Sequence, residues 1–240
     1  MGTGGVRTEP GGGHGVRTNA TLGNDLVTAG SFVAAMLARV PLRPKRRAEQ
    51  TMGMPLEATR WTAAMVRALP DDGHRYEVVD GELLVTPAPT WSHQEVVGAF
   101  YFELETYARV QRLFRVLVSP ADIELDRYGL IQPDVFVYGL VEGRLPARWN
   151  SGAPLLLVIE VLSPSTARAD RTIKRRRFQR ARIPEYWIVD PDARVIERWR
   201  PDDERPEILA ERITWHPEGA TAALTIELPP LFDRIHGERR

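Results

Sequence analysis

A strand that is apolar on both faces has to be covered on both faces, and this chain writes one at Pro154–Leu162. Its run Leu155-Leu156-Leu157-Val158-Ile159 shows no polar alternation, which marks a central strand between two layers rather than a half-exposed one. Ser163-Pro164-Ser165-Thr166 then turns the chain into a helix predicted from Ala167 to Arg182, with Thr166 or Ser165 as its cap. Pro184 ends that helix, and Glu185–Val189 reads as the next strand. With a helix and two further strands before it, the order helix, three strands, helix, strand places a mixed central sheet between helices, an α/β fold.

The flanking elements follow from local signals. Trp61, Met65 and Leu69 fall four apart and predict a helix over Thr59–Leu69, with Thr59 as N-cap. Arg75–Val79 and Glu82–Thr86, joined by Asp80-Gly81, form a hairpin signal. Ser92 to Gln111 repeats apolar residues at helical spacing through Val96, Phe100, Leu104 and Ala108. Strands are expected at Arg115–Leu125, interrupted by Ser119-Pro120, and at Gln132–Tyr138. Asp190–Ala193 is a turn, Arg194–Arg200 its outgoing strand, and residues 201–240 read as loop, one or two strands and a polar tail. Residues 1–55 read as a disordered leader or one that is not native, since Met52 or Met54 would serve as a start; a short helix at Ser31–Val40 is the one element expected there. Residues 56–240 form the domain.

Composition removes several classes of function. With no cysteine, disulfides, zinc–thiolate sites and thiol nucleophiles are excluded, and a reducing cytoplasm is the expected location. The formal net charge is zero, so any contact with nucleic acid has to be local. No window reaches the roughly 18–20 apolar residues of a membrane span. Neither a phosphate-cradling glycine loop nor an HExxH metal motif is present.

Chemistry points to three residues. The 32 Lys+Arg include lysine only at Lys45 and Lys174. Lys174 lies on the helix after the central strand, in phase with Phe178 and Ala181 and beside Ile173, on the face predicted to turn inward. Asp134 opens the second predicted strand after Pro133, and Glu160 interrupts the most apolar strand of the chain. A carboxylate buried there needs a cation, either a metal or an arginine of the following helix. Asp134 and Glu160 are hard oxygen ligands suited to Mg²⁺, and a nearby ammonium would orient a water or stabilise charge on a phosphoryl group. Asp170, one turn before Lys174, could instead form a surface pair with it. The arginines at 168, 171, 175, 176, 177, 180 and 182 could grip phosphates or form a solvated face.

Several motifs, in this order and spacing, carry a resemblance. They are Tyr76-Glu77-Val78-Val79-Asp80-Gly81-Glu82, His93, Pro133-Asp134, Glu160-Val161-Leu162-Ser163-Pro164-Ser165-Thr166, Asp170 with Lys174, and Pro184-Glu185-Tyr186-Trp187-Ile188-Val189-Asp190. From about Thr59 to Arg200 the chain resembles the Uma-two family, restriction-endonuclease-like proteins of the PD-(D/E)XK superfamily. The resemblance implies a nuclease core in which Asp134 and Glu160 bind Mg²⁺ or Mn²⁺ and DNA is the substrate. It also implies that the catalytic lysine comes from the helix, at Lys174, because the superfamily's strand position is Leu162 here. Glu77 and His93 match family positions and are the auxiliary candidates; Glu95, one turn into the first long helix, is a further one. Phe178 and Arg182 depart from the family's usual tyrosine and glycine. The alternative function is a non-catalytic nucleic-acid-binding or interaction protein that keeps the fold. A homodimer is the expected assembly if each strand of a duplex needs its own site.

Overall fold

The computed structural model describes residues 60–144 and 154–237. The leader at 1–55, its helix at Ser31–Val40 and the proposed cap Thr59 lie outside the described residues. The first helix is shorter than expected: α1 spans Ala63–Arg67, and Thr62, not Thr59, caps it by accepting from the Met65 N–H.

Strands β1 (Arg75–Val79) and β2 (Glu82–Thr86) pair as the predicted hairpin. Its two-residue turn holds Asp80 and Gly81 at φ of 55° and 87°, the positive values a primed turn requires. Helix α2 (Trp91–Gln111) follows, with the Thr90 hydroxyl accepting from the His93 N–H. Next come β3 (Phe114–Val118), β4 (Ile123–Asp126), β5 (Gly129–Ile131), β6 (Val135–Gly139) and β7 (Leu155–Val161).

The strand expected at Arg115–Leu125 is divided between two sheets as β3 and β4, whereas the one expected at Gln132–Tyr138 is β6 alone, preceded by a separate short strand, β5. β3 and β6 belong to a six-stranded sheet in the order β10-β9-β8-β7-β6-β3, whereas β4 and β5 belong to a four-stranded sheet in the order β2-β1-β5-β4. The chain crosses between sheets at Ser119-Pro120 and at Gln132-Pro133, where proline offers no ladder N–H. The Ser119 hydroxyl joins the two crossings, donating to the carbonyls of Gln132 (3.1 Å) and Pro133 (2.9 Å).

The helix after β7 is continuous but uneven. α3 (Ala167–Ala169) leads into a π-helical stretch (Asp170–Lys174) and then α4 (Arg175–Arg180). This helix returns the chain to β8 (Glu185–Asp190), which pairs parallel to β7; every other pairing in the sheets is antiparallel. β9 (Val195–Trp199) and β10 (Glu207–Leu209) extend the sheet. The C-terminal region holds more structure than expected: a hairpin of β11 (Arg212–Trp215) and β12 (Leu224–Glu227), and helix α5 (Leu228–Ile235). Among the described residues no helix is long and apolar enough to cross a membrane.

Alternation along the central strands builds two cores. Val135, Val137, Leu157, Ile159, Val161, Trp187 and Val189 face α2, α5 and the β11–β12 hairpin. Phe136, Tyr138, Val158, Tyr186 and Ile188 face the opposite layer, where Phe178 of α4 and Val79, Ile123 and Ile131 of the small sheet pack against them. Since side chains alternate with a period of two, Asp134 and Glu160 belong to this second face. β7 is therefore doubly covered, as its composition demanded.

Candidate active site

The second face of the sheet concentrates charge where apolar packing would be expected. Glu77, Asp134, Glu160, Asp170 and Lys174 are each at most 2 % exposed. The pairing of Val135 with Ile159 continues to set Asp134 against Glu160, and opposed antiparallel residues have Cβ atoms about 5 Å apart. Val161 N–H donates to Asp134 Oδ2 at 2.9 Å, tying the two strands together at this point.

Lys174 enters from the covering helix. Its Nζ lies 2.9 Å from Glu160 Oε1, 2.9 Å from Glu77 Oε2 and 3.5 Å from Asp170 Oδ1. The inward phase expected for Lys174 and Phe178 is observed, but Ala181 is exposed. The surface pair that Asp170 and Lys174 offered as an alternative is a buried one, and the wide π turn keeps both residues on the inner side. π-bulges inside α-helices gather at functional sites.

Glu77 arrives from β1, where Tyr76 and Val78 point to the small core under α1 and Arg75 and Glu77 therefore point the other way. Glu77 Oε1 accepts from the Gln132 N–H at 2.8 Å, at the crossing between sheets. Arg75 was not singled out in the sequence, although this i, i+2 relation to Glu77 was the available signal. Its Nη1 donates to Asp134 Oδ1 at 2.9 Å. His93 completes the ring: its Nε2 lies 3.2 Å from Asp134 Oδ2. Glu95, in contrast, is exposed and two positions on from His93, which turns it to the other side of α2; the structure does not bring it to the cluster.

Burial is the largest influence on Glu160, Asp170, Asp134 and Lys174. It pushes Glu160 well above the ordinary glutamate value; Lys174 opposes the shift while Asp134, Asp170 and Glu77 add to it. Asp170 is raised in the same way, burial prevailing over the Lys174 charge. Burial also works against Asp134, but the His93 hydrogen bond, the Arg75 charge and the Val161 N–H together hold it well below the ordinary aspartate value. For Lys174, the carboxylates of Glu160, Glu77 and Asp170 overcome burial and hold the ammonium above the ordinary lysine range.

The arithmetic of charge explains this pattern. Four buried carboxylates face two fixed cations, Lys174 and Arg75, so full ionisation leaves two negative charges without a partner. Protons on Glu160 or Asp170, or one divalent cation, can supply them. Among the described residues no group of three or more His, Asp or Glu side chains is arranged to hold a metal ion. Mg²⁺ does not need one, since it takes one or two carboxylates and keeps several waters. The oxygen donors of Asp134 and Glu160 fit that demand.

Glu160 and Asp170, with folded values above their unfolded ones, weaken the fold above the ordinary carboxylate range, and this penalty fades as pH falls through the raised values. Asp134 acts oppositely: its contribution is present above about pH 4 and is lost below it. Glu160→Gln keeps an acceptor for Lys174 and removes one excess charge. In chelator at pH 8 it is expected to raise the melting temperature by about 2–4 °C, or about 1 kcal/mol in a domain of this size. The gain should shrink toward acidic pH, and calorimetry across pH 5–8 measures it. A lower melting temperature for the variant at pH 8 would contradict the charge imbalance.

The arginine-rich helix is less available to phosphate than its sequence implied. Arg171 pairs with Glu197 (2.6 Å) and Asp190 (3.0 Å), and Arg177, itself buried, pairs with Asp126 (2.7 Å). Arg175 donates to Gln179 and covers Trp199, Arg180 pairs with Asp80, and Arg182 with Asp202. Arg168 and Arg176 are exposed. Phe178 packs on Tyr186 with ring centroids 4.8 Å apart, and Arg182 takes a left-handed φ of 57° where glycine would be unstrained.

Comparison with known proteins agrees with this architecture. The chain is similar to a crystal structure described as "a putative nuclease belonging to DUF820" from Anabaena variabilis, with a TM-score of 0.57 and 21% identity over 73% of this chain and 99% of that one. At this identity the likeness shows the restriction-endonuclease-like fold. No curated protein sequence matches. The sequence profile of the family described as "Uma2: Putative restriction endonuclease" matches residues 63–230, a span that contains Glu77, His93, Asp134, Glu160 and Lys174. Because that span is well over half of the chain, the protein belongs to the Uma2 family.

Proposed function

We propose that this protein is a divalent-metal-dependent endonuclease that hydrolyses DNA phosphodiester bonds, with Asp134 and Glu160 as the ligands of Mg²⁺ or Mn²⁺ and Lys174 as the catalytic cation. One observation carries the reading: a lysine at most 1 % exposed, from a chain with one other lysine, sits 2.9 Å from Glu160 on the face that also holds Asp134. When bound, the metal would lower the pKa of a coordinated water and neutralise charge on the phosphoryl oxygens.

The chain's own residues would do the rest. An ammonium held above the ordinary lysine range keeps its proton at neutral pH, so Lys174 would stabilise developing phosphoryl charge rather than act as a base. Arg75 and the Val161 N–H hold the Asp134 carboxylate in one orientation, and Asp134 stays ionised near neutrality because these donors favour its charge. Glu77 and Asp170 steer Lys174 from two further sides. Glu77 and His93 thus act in this reading as positioning groups, one toward Lys174 and the other toward Asp134. The family's description and the nuclease named for the Anabaena structure support this assignment.

The test is cleavage of plasmid and single-stranded DNA with Mg²⁺, with Mn²⁺ and in chelator. Cleavage that needs the metal and disappears in Asp134→Ala supports the reading; cleavage that persists in that variant refutes the site. A second reading, a nucleic-acid-binding or interaction protein that keeps the nuclease fold, draws on the closure of the network, since Lys174 and both Asp134 oxygens already have partners. Binding of DNA without cleavage under any of these metal conditions would favour it.

A further inference from the structure

We propose that the exposed face of α2 is the contact surface of a homodimer, in which two copies of this chain pack their α2 helices antiparallel with Phe102 at the twofold axis. The face is defined by helical spacing. Trp91, Glu95, Gly98, Phe102, Thr106 and Arg109 recur every three or four residues, and all are exposed; Leu113 follows just beyond the end of the helix. Large apolar groups stand out on it: Trp91 is 93 % exposed and Phe102 64 %. The opposite side of the same helix is the one buried against the sheet, through Val96, Phe100, Leu104 and Tyr107. A chain that needed α2 only as a cover for the sheet would write polar residues at 91 and 102.

The order of residues about Phe102 favours a second copy over an unrelated partner. In a twofold contact residue i meets j and j meets i. Around a twofold at Phe102, Glu95 faces the second copy's Arg109 and Gly98 faces its Thr106, while Trp91 lies opposite the C-terminal end of the second copy's α2. The one acid and the one base of the stripe therefore meet with opposite sign, twice per dimer. Arg109 Nε donates to Glu105 at 2.9 Å, which leaves the two terminal nitrogens of its fork to reach Glu95 across the axis. A Cβ at Gly98 would meet nothing within 4 Å, so the helix surface is low there and the second backbone can approach. Packing at a shallow crossing of about 20° keeps such pairs in register over several turns.

This arrangement also sets the spacing of the two candidate sites. His93 lies nine residues from Phe102, and at 1.5 Å per residue the two histidines would sit about 27 Å apart along the helices. The dimer surface does not depend on the nuclease reading, and neither one's failure touches the other.

The chain contains no cysteine, which makes a crosslink decisive. Facing Cα atoms of helices about 8–10 Å apart approach within disulfide range, so full-length Phe102→Cys should form a disulfide-linked dimer on mild oxidation. Val85→Cys, exposed on the β1–β2 hairpin rather than on α2, should not. Sedimentation equilibrium should show a wild-type dimer that Phe102→Glu dissociates. Glu95→Arg and Arg109→Glu should each weaken it roughly tenfold, and the two changes together should restore it. A full-length chain that remains monomeric at high micromolar concentration overturns the proposal. A dimer indifferent to Phe102→Glu overturns it too.

Discussion

Lys174→Met is expected to abolish DNA cleavage and to lower stability by about 3–5 kcal/mol. The loss of stability comes from what remains. Glu77, Glu160 and Asp170 each approach the Lys174 ammonium within 3.5 Å, and all are almost wholly buried. Removing the ammonium leaves only Arg75 to balance the cluster, and an unpaired buried charge costs more than the ion pair itself contributed. Denaturant unfolding in chelator measures this effect. Because a destabilised variant is an ambiguous test of catalysis, Lys174→Arg separates the two roles. Arginine retains the charge but brings a planar fork, larger and differently shaped, into a space fitted to a compact ammonium. We expect a folded protein with a smaller stability deficit and cleavage reduced by at least a hundredfold. Wild-type cleavage by the arginine variant would show that only the charge at this position matters.

The second large effect concerns Asp134. Asp134→Ala is expected to reduce metal-dependent cleavage by about a thousandfold or more, because one of two proposed carboxylate ligands and its charge disappear together. It should also destabilise the protein by about 2–4 kcal/mol, since Arg75 and the Val161 N–H lose their buried acceptor. Asp134→Asn restores one acceptor oxygen without the charge. It should recover part of the stability and none of the activity. Rates from plasmid nicking, compared with the unfolding free energy of the same preparations, separate these outcomes. Cleavage that follows stability across Asn and Ala, rather than charge, would argue against metal binding at this carboxylate.

The legible parts of the site were the ones that break a local rule. Glu160 stood out because it interrupts an apolar run, and Lys174 because arginine occupies nearly every other basic position and because its helix phase pairs it with Phe178. Arg75 broke no rule. It lies at the edge of a hairpin where an arginine is ordinary, and its role depends on β1 meeting β5, a pairing between residues some fifty positions apart. Pro120 marked an interruption, but Pro133 was read within one strand, and the sequence could not show that the chain changes sheet at both places. The C-terminal hairpin and α5 were underestimated because their apolar residues, Ile213, Trp215, Ile226, Leu231 and Phe232, are spaced widely among turns. They form one surface only when packed on α2.

By itself, then, the order of residues determined the doubly covered strand β7, the helix that follows it with the strand β8 beyond, and the identity of Asp134, Glu160 and Lys174 as the groups needing an explanation. Each of these rests on contacts or periodicities within a few residues. Only the tertiary structure decided that Glu77, Asp170, Arg75 and His93 join them. It also decided that the helix arginines are mostly consumed by neighbouring carboxylates, and that four acids share two cations. The reason is physical: the energy of a buried charge is set by every charge within a few ångströms of it, and these neighbours come from β1, α2, the central strands and the helix after β7, which meet only in the folded chain.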